Sequence, residues 1–566
     1  MEYIVYPIEF HHIFDEEPLS TEEYLKGLDK VDLILMTLHL IGIDNKDSYS
    51  LEYTNFLKMF FQDFPDSKQL QDIDKRIKKL KQTSNLQNNP DIIFTLIEPR
   101  AALLFLKDII LLPTGKKEVK TENDHINFLK AYLSQVEQVQ KYKNNLLKSI
   151  PEFENPLCKD ARIRFAGDLL QMGLSDYNFY DILMTQQMKV LMLDDFIKEK
   201  PQLSNIIKLF YASKNIESIF DHLLNLRIVR VYEENKFKEG QISLYKRDYV
   251  NHDNLFNRIS TYFDSICIDV NNPSEAEKKL EDLNDFTCYK QYPVLKLNND
   301  HYSIISRYFF TLNIYDGLFI NLLQISQKTG EKDIQRLIKS EFSEEYMFYK
   351  VMNRLLFNAK NINISGRTFY DLNDNGRPDY YVRNKKRALL FEYKDILMNK
   401  STRNSQSFSD IENFFKTRLN ETKGIPQIIK NVKDILLQDF KLDKGYNEKN
   451  IEIYPFLITQ DRLYSVHGTN YILNDFFQQR IDNDNFLALK KSHIRPLTVI
   501  DIDFLLILSL ELKHNLKRFL DLIHSYHIYC SNKDRFISFR NYILNSKKIT
   551  LNRIDEKDLI IHYFNR

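Results

Sequence analysis

The stretch DLNDNGRPDYYVRNKKRALLFEYK, residues 371–394, carries the strongest structural signal in this chain. Two apolar runs, 380–383 and 388–394, flank a polar pair at 385 and 386, which is the pattern of a β-hairpin. The second run has apolar residues at both odd and even positions, which favours a strand buried on both faces. The segment therefore predicts two neighbouring strands of an inner sheet.

Charged side chains lie at the ends of both predicted strands. With the turn centred between residues 385 and 386, Asp379 falls directly across from Glu392, where partner Cβ atoms are roughly 4.5 to 5.5 Å apart. Two carboxylates at that distance repel each other unless a cation lies beside them. Because side chains alternate along a strand, Lys394 shares a face with Glu392. The hairpin therefore offers two carboxylates and a lysine to one divalent metal ion.

Together, Pro378, Asp379, Glu392 and Lys394 resemble the PD-(D/E)XK nuclease superfamily, in the variant whose second carboxylate is glutamate. The resemblance implies metal-dependent hydrolysis of phosphodiester bonds, with Mg²⁺ as the cofactor and Mn²⁺ as a substitute. It implies that Asp379 and Glu392 are metal ligands and that Lys394 positions or deprotonates the attacking water. The likeness covers roughly residues 331–480 of the 566.

The resemblance also implies a glutamate on the first helix of the core as a further metal ligand. Glu344 and Glu345 both lie one turn before the apolar face of a predicted helix over 341–357, and Glu345 is the narrow choice. The alternative is that Ser340 or Ser343 caps this helix and the glutamates only complement its dipole.

A later helix offers one more candidate, Gln427, followed four residues on by Asn431. Some relatives carry a glutamine-x-x-x-tyrosine element there, which contacts the metal site or the DNA. The tyrosine is absent here. Gln427 is therefore predicted either in the active site or as a solvated helix residue.

The order of elements expected for such a core is helix, three strands, helix, strand. The sequence supplies a helix over 341–357, a first strand at 361–365 or 368–370, the hairpin, a helical segment over 409–440 broken near Gly424 and Pro426, and a strand over 451–459.

The short motif is permissive, and other matches occur at Pro65-Asp66, at Pro90-Asp91 and in E-x-K form at 118–120, 234–236 and 421–423. None of them lies in an apolar two-strand setting. An ordinary hairpin with a surface acid and a surface ion pair is the alternative for 379–394. Because a buried carboxylate is costly unless it is paired or metal-bound, the apolar setting of Glu392 favours the nuclease interpretation.

Calcium is a competing interpretation of the same segment. The first ligand positions of an EF-hand loop are matched by Asp371, Asn373, Asn375 and Gly376. The position that needs a bidentate glutamate is Val382, so we expect a turn that leads to Asp379 instead.

Composition is ordinary for a soluble globular protein, with 43% apolar and 28% charged residues and no apolar run long enough for a membrane span. The N-terminus shows no secretory pattern. The scattered cysteines favour a reduced, cytoplasmic protein. His524, His527 and Cys530 are spaced by three residues, which indicates a packed helical stripe more than a zinc site.

The net charge of +1 argues against a chain that coats nucleic acid, so any DNA contact must be local. Two basic runs are candidates, or else solvated helix faces. One comprises Arg383, Lys385, Lys386 and Arg387, and the other comprises Lys75, Arg76, Lys78, Lys79 and Lys81.

The predicted architecture is a multidomain α+β protein with four parts. Residues 1–235 form a large, mainly helical region that has a regulatory role or binds a protein partner or a second copy of the chain. Residues 236–329 form a mixed connecting region. Residues 330–480 form a restriction-endonuclease-like core with a central mixed sheet flanked by helices, and residues 481–566 are mainly helical. We expect a DNA endonuclease, by analogy one of restriction or anti-phage defence. The alternative is a non-cleaving nucleic-acid-binding or scaffold protein with the same fold.

Overall fold

The computed structural model describes residues 4–42, 52–83, 92–171, 179–226, 243–249, 252–281, 286–331, 333–372, 374, 376–396, 398–533 and 535–546. Within these ranges the chain is α+β, with many helices and mixed sheets. It divides into two compact units. The first comprises Met1–Asn144, Leu174–Phe179 and Ile206–Leu322, and the second comprises Asn145–Gly173, Tyr180–Asn205 and Leu323–Arg566.

The first unit contains two small sheets. Strands β1 (Ile4–Pro7) and β2 (Ile92–Thr95) pair in parallel. The other sheet comprises β3 (Ser243–Tyr245), β4 (Cys267–Asp269), β5 (Val294–Asn298) and β6 (His301–Ile304), in the order β3, β6, β5, β4. The helices around them are Thr21–Leu25, Lys30–Gly42, Tyr53–Phe60, Lys68–Thr83, Pro99–Leu111, Glu122–Lys148, Ser204–Lys214, Asp253–Asp264, Pro273–Leu280, Thr287–Gln291 and Arg307–Leu312, with a π-helical turn at Asn313–Gly317. The helix Leu318–Thr329 passes from the first unit into the second after Leu322.

Most of the described part of residues 1–235 is helical, in agreement with the prediction, and β1 and β2 are short strands within it. Both strands have four residues and pair across a long stretch of chain, so neither produces a local period. The sequence also predicts a strand at 228–232, which lies outside the described residues. It further predicts a hairpin over 293–306, turning at 298–300, and the antiparallel pairing of β5 with β6 confirms it.

The second unit is built on a five-stranded mixed sheet. Its strands are β7 (Ile362–Ser365), β8 (Tyr380–Asn384), β9 (Arg387–Lys394), β10 (Glu452–Thr459) and β11 (Thr498–Asp501), in the order β11, β10, β9, β8, β7. Strands β7, β8 and β9 are antiparallel neighbours, whereas β9, β10 and β11 run in parallel. The middle strand, β9, is buried from Ala388 to Tyr393, which explains its apolar residues on both faces.

Helices cover both faces of this sheet. Residues 333–356 form one helical run, with α-helix at Asp333–Arg336, π-helix at Leu337–Phe348 and α-helix at Tyr349–Leu356. Phe348 of this run stacks on Tyr393 at 5.1 Å between ring centroids. The helix Ile425–Leu436 packs against β9 and β10. Its buried residues recur at helical spacing, namely Ile425, Ile428, Val432, Ile435 and Leu436.

The remaining helices of the second unit complete its layers. They are Pro156–Gln171, Phe179–Glu199, Gly366–Asp371, Lys400–Arg403, Phe408–Phe415 with a π-helical continuation at Lys416–Glu421, Thr469–Asn483, Asn485–Leu489, Ile502–Leu512, Leu516–Asn532 and Phe539–Asn545. No helix in the described ranges is long and apolar enough to cross a membrane.

The division into units differs from the four parts predicted from the sequence. Helices Pro156–Gln171 and most of Phe179–Glu199 belong to the second unit, although they precede residue 235. Phe165 packs edge-on against Phe415 at 5.0 Å, and Arg162 donates to Glu412 at 2.6 Å. At the other end of the chain, β11 is a strand of the central sheet, so a boundary near residue 480 would remove it. These contacts are long-range and leave no local sequence signal.

Candidate active site

The β8–β9 hairpin has the predicted register. Tyr380 pairs with Phe391 and Asn384 with Arg387, so residues 385 and 386 form the turn, with Lys385 in the left-handed region at φ 54°. The same register, continued by one residue, carries Asp379 across from Glu392. The predicted first strand is β7, whereas 368–370 lie in the helix Gly366–Asp371.

Asp379 is held at both its backbone and its side chain. Its carbonyl oxygen accepts from the Gly366 N–H at 2.8 Å, and its Oδ2 accepts from the Tyr393 N–H at 2.7 Å. A Cβ atom at Gly366 would lie 3.2 Å from the Asp379 Cα and 2.9 Å from the Tyr349 hydroxyl oxygen. A side chain at Gly366 would therefore have to displace the Tyr349 hydroxyl and crowd Asp379, so glycine favours this close approach just before β8.

Lys394 lies between the two carboxylates of the hairpin. Its Nζ donates to Glu392 Oε1 at 2.5 Å and is 3.7 Å from Asp379 Oδ2. The side chains of Lys394, Asp379 and Glu392 are 12%, 15% and 1% exposed. The three predicted residues therefore form one largely buried cluster, unlike a surface acid with a surface ion pair.

Burial and mutual repulsion shift the ionisation of this cluster. Burial, with the Asp379 charge, raises the pKa of Glu392 to about 8. Burial by itself lowers the pKa of Lys394, but the charges of Glu392 and Asp379 outweigh it and raise that pKa. The ammonium charge is thus strongly stabilised, while the charged form of Glu392 is disfavoured.

Of the two adjacent glutamates, the structure brings Glu344 to the cluster and not Glu345. Burial and the Asp379 carboxylate, which Glu344 contacts through a hydrogen bond, raise the pKa of Glu344 to about 8. Glu345 is 42% exposed and lies 3.8 Å from the Arg367 guanidinium. The narrow preference for Glu345 is therefore corrected to Glu344.

The helix that carries Glu344 does not begin where the capping alternative places it. The helical run starts at Asp333, and Ser340 and Ser343 lie inside its π-helical segment Leu337–Phe348. The Ser343 hydroxyl donates to the Ile338 carbonyl at 3.0 Å instead of capping a terminus. A π-helical segment changes which residues face the sheet, and such segments occur frequently at functional sites.

Gln427 has a local structural role. Its Oε1 accepts from the Gly424 N–H at 3.0 Å, and Gly424 has φ 68° at the break before the helix Ile425–Leu436. The sequence signal for this is a glutamine three residues after the cap residue Gly424. Asn431, one turn later, is fully buried and donates to the Gln427 carbonyl at 2.9 Å. No contact joins Gln427 to the carboxylates in the described part of the chain.

Ion pairs between side chains hold the loop before Asp379, and one of them uses Asp371, which is a ligand in the calcium interpretation. Asp371 pairs with Arg367 at 3.0 Å, and Asp374 lies 2.9 Å from Arg377. Asn373 and Asn375 lie outside the described residues. Arg377 was not identified from the sequence, because its main partner Asp434 is 57 residues away.

Acidic side chains form ion pairs with several of the basic residues in the two basic runs. Arg383 pairs with Asp443 and Lys386 with Glu452, and Arg76 and Lys78 pair with Asp15 and Asp74. In the C-terminal histidine stripe, His527 is half-buried and shares a 2.8 Å hydrogen bond with Thr498, whereas His524 is exposed.

The carboxylate cluster fits a small, hard cation. Glu392 Oε2 is buried without a hydrogen-bond partner, and three carboxyl groups meet around one lysine. Across the described ranges, no three His, Cys, Asp or Glu side chains are grouped closely enough to hold a metal ion by themselves. Mg²⁺ does not need such a cage, because it is usually bound by one or two carboxylates with waters and substrate phosphates.

Comparison with protein families, with curated proteins and with solved structures finds no match.

Proposed function

We propose that this chain is a divalent-metal-dependent nuclease of the PD-(D/E)XK superfamily that hydrolyses DNA internally. The observation that carries the proposal is the convergence of Asp379, Glu392 and Lys394 on one end of a buried hairpin. Support also comes from the order of elements, since a helical run, β7, β8, β9, the helix Ile425–Leu436 and β10 follow one another as such a core requires.

The proposed metal ligands are Asp379 and Glu392, with Glu344 as a third carboxylate. When bound, Mg²⁺ would supply a Lewis acid for the phosphate and a water of lowered pKa. The Tyr393 N–H keeps one Asp379 oxygen oriented. Glu392 Oε2 has no protein hydrogen bond to give up on binding a cation.

Lys394 is assigned the role of a fixed cation beside the reacting water. Its ammonium is buried and held by two carboxylates, so its position is defined without the substrate. A charge held there orients the water and stabilises the negative charge that develops on the phosphate. Both roles require a positive charge at this point of β9.

The proposal is tested by cleavage of supercoiled plasmid, linear DNA, single-stranded DNA and RNA with Mg²⁺, Mn²⁺ or chelator. Wild-type protein should nick or linearise the plasmid only with metal. Asp379→Asn, Glu392→Gln and Lys394→Met should each reduce the rate on the order of 10²-fold or more. Glu452→Gln is the matched control, because Glu452 is an ion-paired acid of the same sheet near the hairpin turn.

A metal-independent activity, or full activity in any of the three variants, would contradict the assigned roles. The absence of cleavage, combined with metal-independent DNA binding, would favour the alternative of a non-cleaving scaffold. That alternative draws on one observation, namely that Lys394 already compensates the Glu392 charge without a metal ion.

A further inference from the structure

Arg377 is a buried arginine two residues before Asp379. Its side chain is only 6% exposed. Its Nη1 donates to Asp434 Oδ2 at 2.6 Å, its Nη2 donates to the Asp439 carbonyl at 2.8 Å, and its Nε lies 2.9 Å from Asp374 Oδ1. The guanidinium also lies 4.7 Å from the centre of the Phe440 ring. Both terminal nitrogens therefore donate hydrogen bonds, while Nε lies close to the Asp374 carboxylate without forming a hydrogen bond.

These contacts tie two parts of the second unit together. Asp374 belongs to the loop that leads into β8, whereas Asp434 lies in the last turn of the helix Ile425–Leu436. That helix packs against β9, the strand of Glu392 and Lys394. The guanidinium thus joins the chain that delivers Asp379 to the helix that supports the other two residues.

A second buried arginine in the same hairpin provides a comparison. Arg383 is 12% exposed, its Nη2 donates to Asp443 Oδ1 at 2.8 Å, and Tyr381 donates to the same carboxylate. It lies four residues beyond Asp379 on β8, a distance of about 13 Å along a strand. Arg377 and Arg383 therefore make similar buried ion pairs, but Arg377 is two residues from Asp379 along the chain and Arg383 is four.

We propose that Arg377 is a positioning residue for the metal site, which sets divalent-cation affinity by holding the Asp379 carboxylate beside Glu392. This inference rests on the proposed function. Such supporting contacts are rigid because a buried guanidinium with several partners has one arrangement. Without it, the loop gains freedom just before a ligand, and the two carboxylates no longer share a cation at a fixed separation.

The test compares Arg377→Met, Asp434→Asn and Arg383→Met in the full-length chain. Mn²⁺ affinity is measured by calorimetric titration, and the Mg²⁺ concentration for half-maximal DNA cleavage is measured beside KM for DNA. We expect Arg377→Met to weaken both metal values at least about 10-fold, with KM for DNA little changed. Arg383→Met should lower thermal stability but leave metal affinity near that of the wild type.

Asp434→Asn keeps the guanidinium and weakens its main ion pair, so it should give a smaller loss of metal affinity. This variant replaces Arg377→Met in the test if Arg377→Met does not fold. The inference is overturned if folded Arg377 and Asp434 variants bind Mn²⁺ within about twofold of wild type, or if Arg383→Met weakens binding equally. Wild-type protein that binds no Mn²⁺ would overturn the proposed function and this inference together.

Discussion

The ammonium of Lys394 lies 2.5 Å from Oε1 of Glu392, two residues earlier on the same face of β9. The pair is buried, and Asp379 lies close to the same ammonium. In a buried cluster, removing the one cation and removing one of several carboxylates have different energetic consequences. The arrangement therefore makes a prediction about stability that does not depend on cleavage.

In metal-free buffer, Lys394→Met should lower the free energy of unfolding by about 3 to 5 kcal/mol, because it leaves buried carboxylates without their cation. Glu392→Gln should change the free energy of unfolding by less than about 1 kcal/mol. Burial raises the pKa of the Glu392 carboxyl group, so its charged form is already disfavoured. Denaturant unfolding measures both. Equal losses of unfolding free energy in the two variants would show that repulsion between the carboxylates does not determine the stability of the cluster.

Glu344→Gln should reduce metal-dependent cleavage about 10-fold or more, whereas Glu345→Gln should be close to wild type. The reason is placement, because Glu344 contacts Asp379 while Glu345 faces Arg367 near solvent. Single-turnover cleavage at saturating DNA measures the effect. A larger loss for Glu345→Gln would restore the choice made from the sequence.

A fragment that begins at residue 329 should fail to fold as a soluble monomer. It retains the sheet but lacks the helices Pro156–Gln171 and Phe179–Glu199. Asp503 would lose the Lys189 ammonium, with which it forms a buried ion pair, and Glu341 would lose Lys200 at 2.6 Å. Asp503 would keep Arg462 and Glu341 would keep Arg336, but each charge network would lose one of its two cations, which is destabilising. Circular dichroism and analytical ultracentrifugation measure the outcome, and a monomer with cooperative unfolding would contradict it.

The first unit should lose stability as the pH falls from about 6.5 to about 4, because of His222. This imidazole is fully buried; its Nδ1 accepts from the Tyr262 hydroxyl at 2.7 Å and its Nε2 donates to the Ile314 carbonyl at 2.9 Å. Burial, with the nearby Lys214 charge, lowers the His222 pKa from 6.5 to about 4. Since the unfolded chain binds the proton more readily, the contribution of neutral His222 is complete above 6.5 and lost below 4.

A pKa difference of that size corresponds to about 3 kcal/mol. His222→Gln keeps an amide donor for Ile314 but cannot titrate, so this variant should start less stable and show a shallower dependence on pH between 6.5 and 4. Hydrogen exchange of the helix Ser204–Lys214 at several pH values reports the local stability. An unchanged slope in the variant would remove His222 as its cause.

The parts of the fold that the sequence predicts well are those set by neighbouring residues. The hairpin register follows from a two-residue turn and from alternation, so the placement of Asp379 opposite Glu392 follows from the amino-acid sequence alone. The order of helices and strands after residue 333 follows from the same kind of local period.

The parts that the sequence could not predict depend on contacts between distant residues. Nothing near Arg377 indicates that Asp434 will meet it, and nothing in the helix Pro156–Gln171 indicates that it packs with Phe415. The preference between Glu344 and Glu345 failed for another reason. It assumed an α-helical period through Leu337–Phe348, where the structure is π-helical.

The π-helical segment has a consequence for how this chain tolerates insertions and deletions. Because each residue turns an α-helix by about 100° and a π-helix by less, a shortening of residues 337–343 that made 337–348 regularly α-helical would rotate Glu344 relative to Phe348 and Tyr349. The helix would still be formed and its apolar residues could still be buried, yet the carboxylate would leave the sheet edge. A deletion that preserves secondary structure would therefore move Glu344 away from Asp379. The number of residues in this segment is thus more constrained than their identity, because it sets the direction in which Glu344 points.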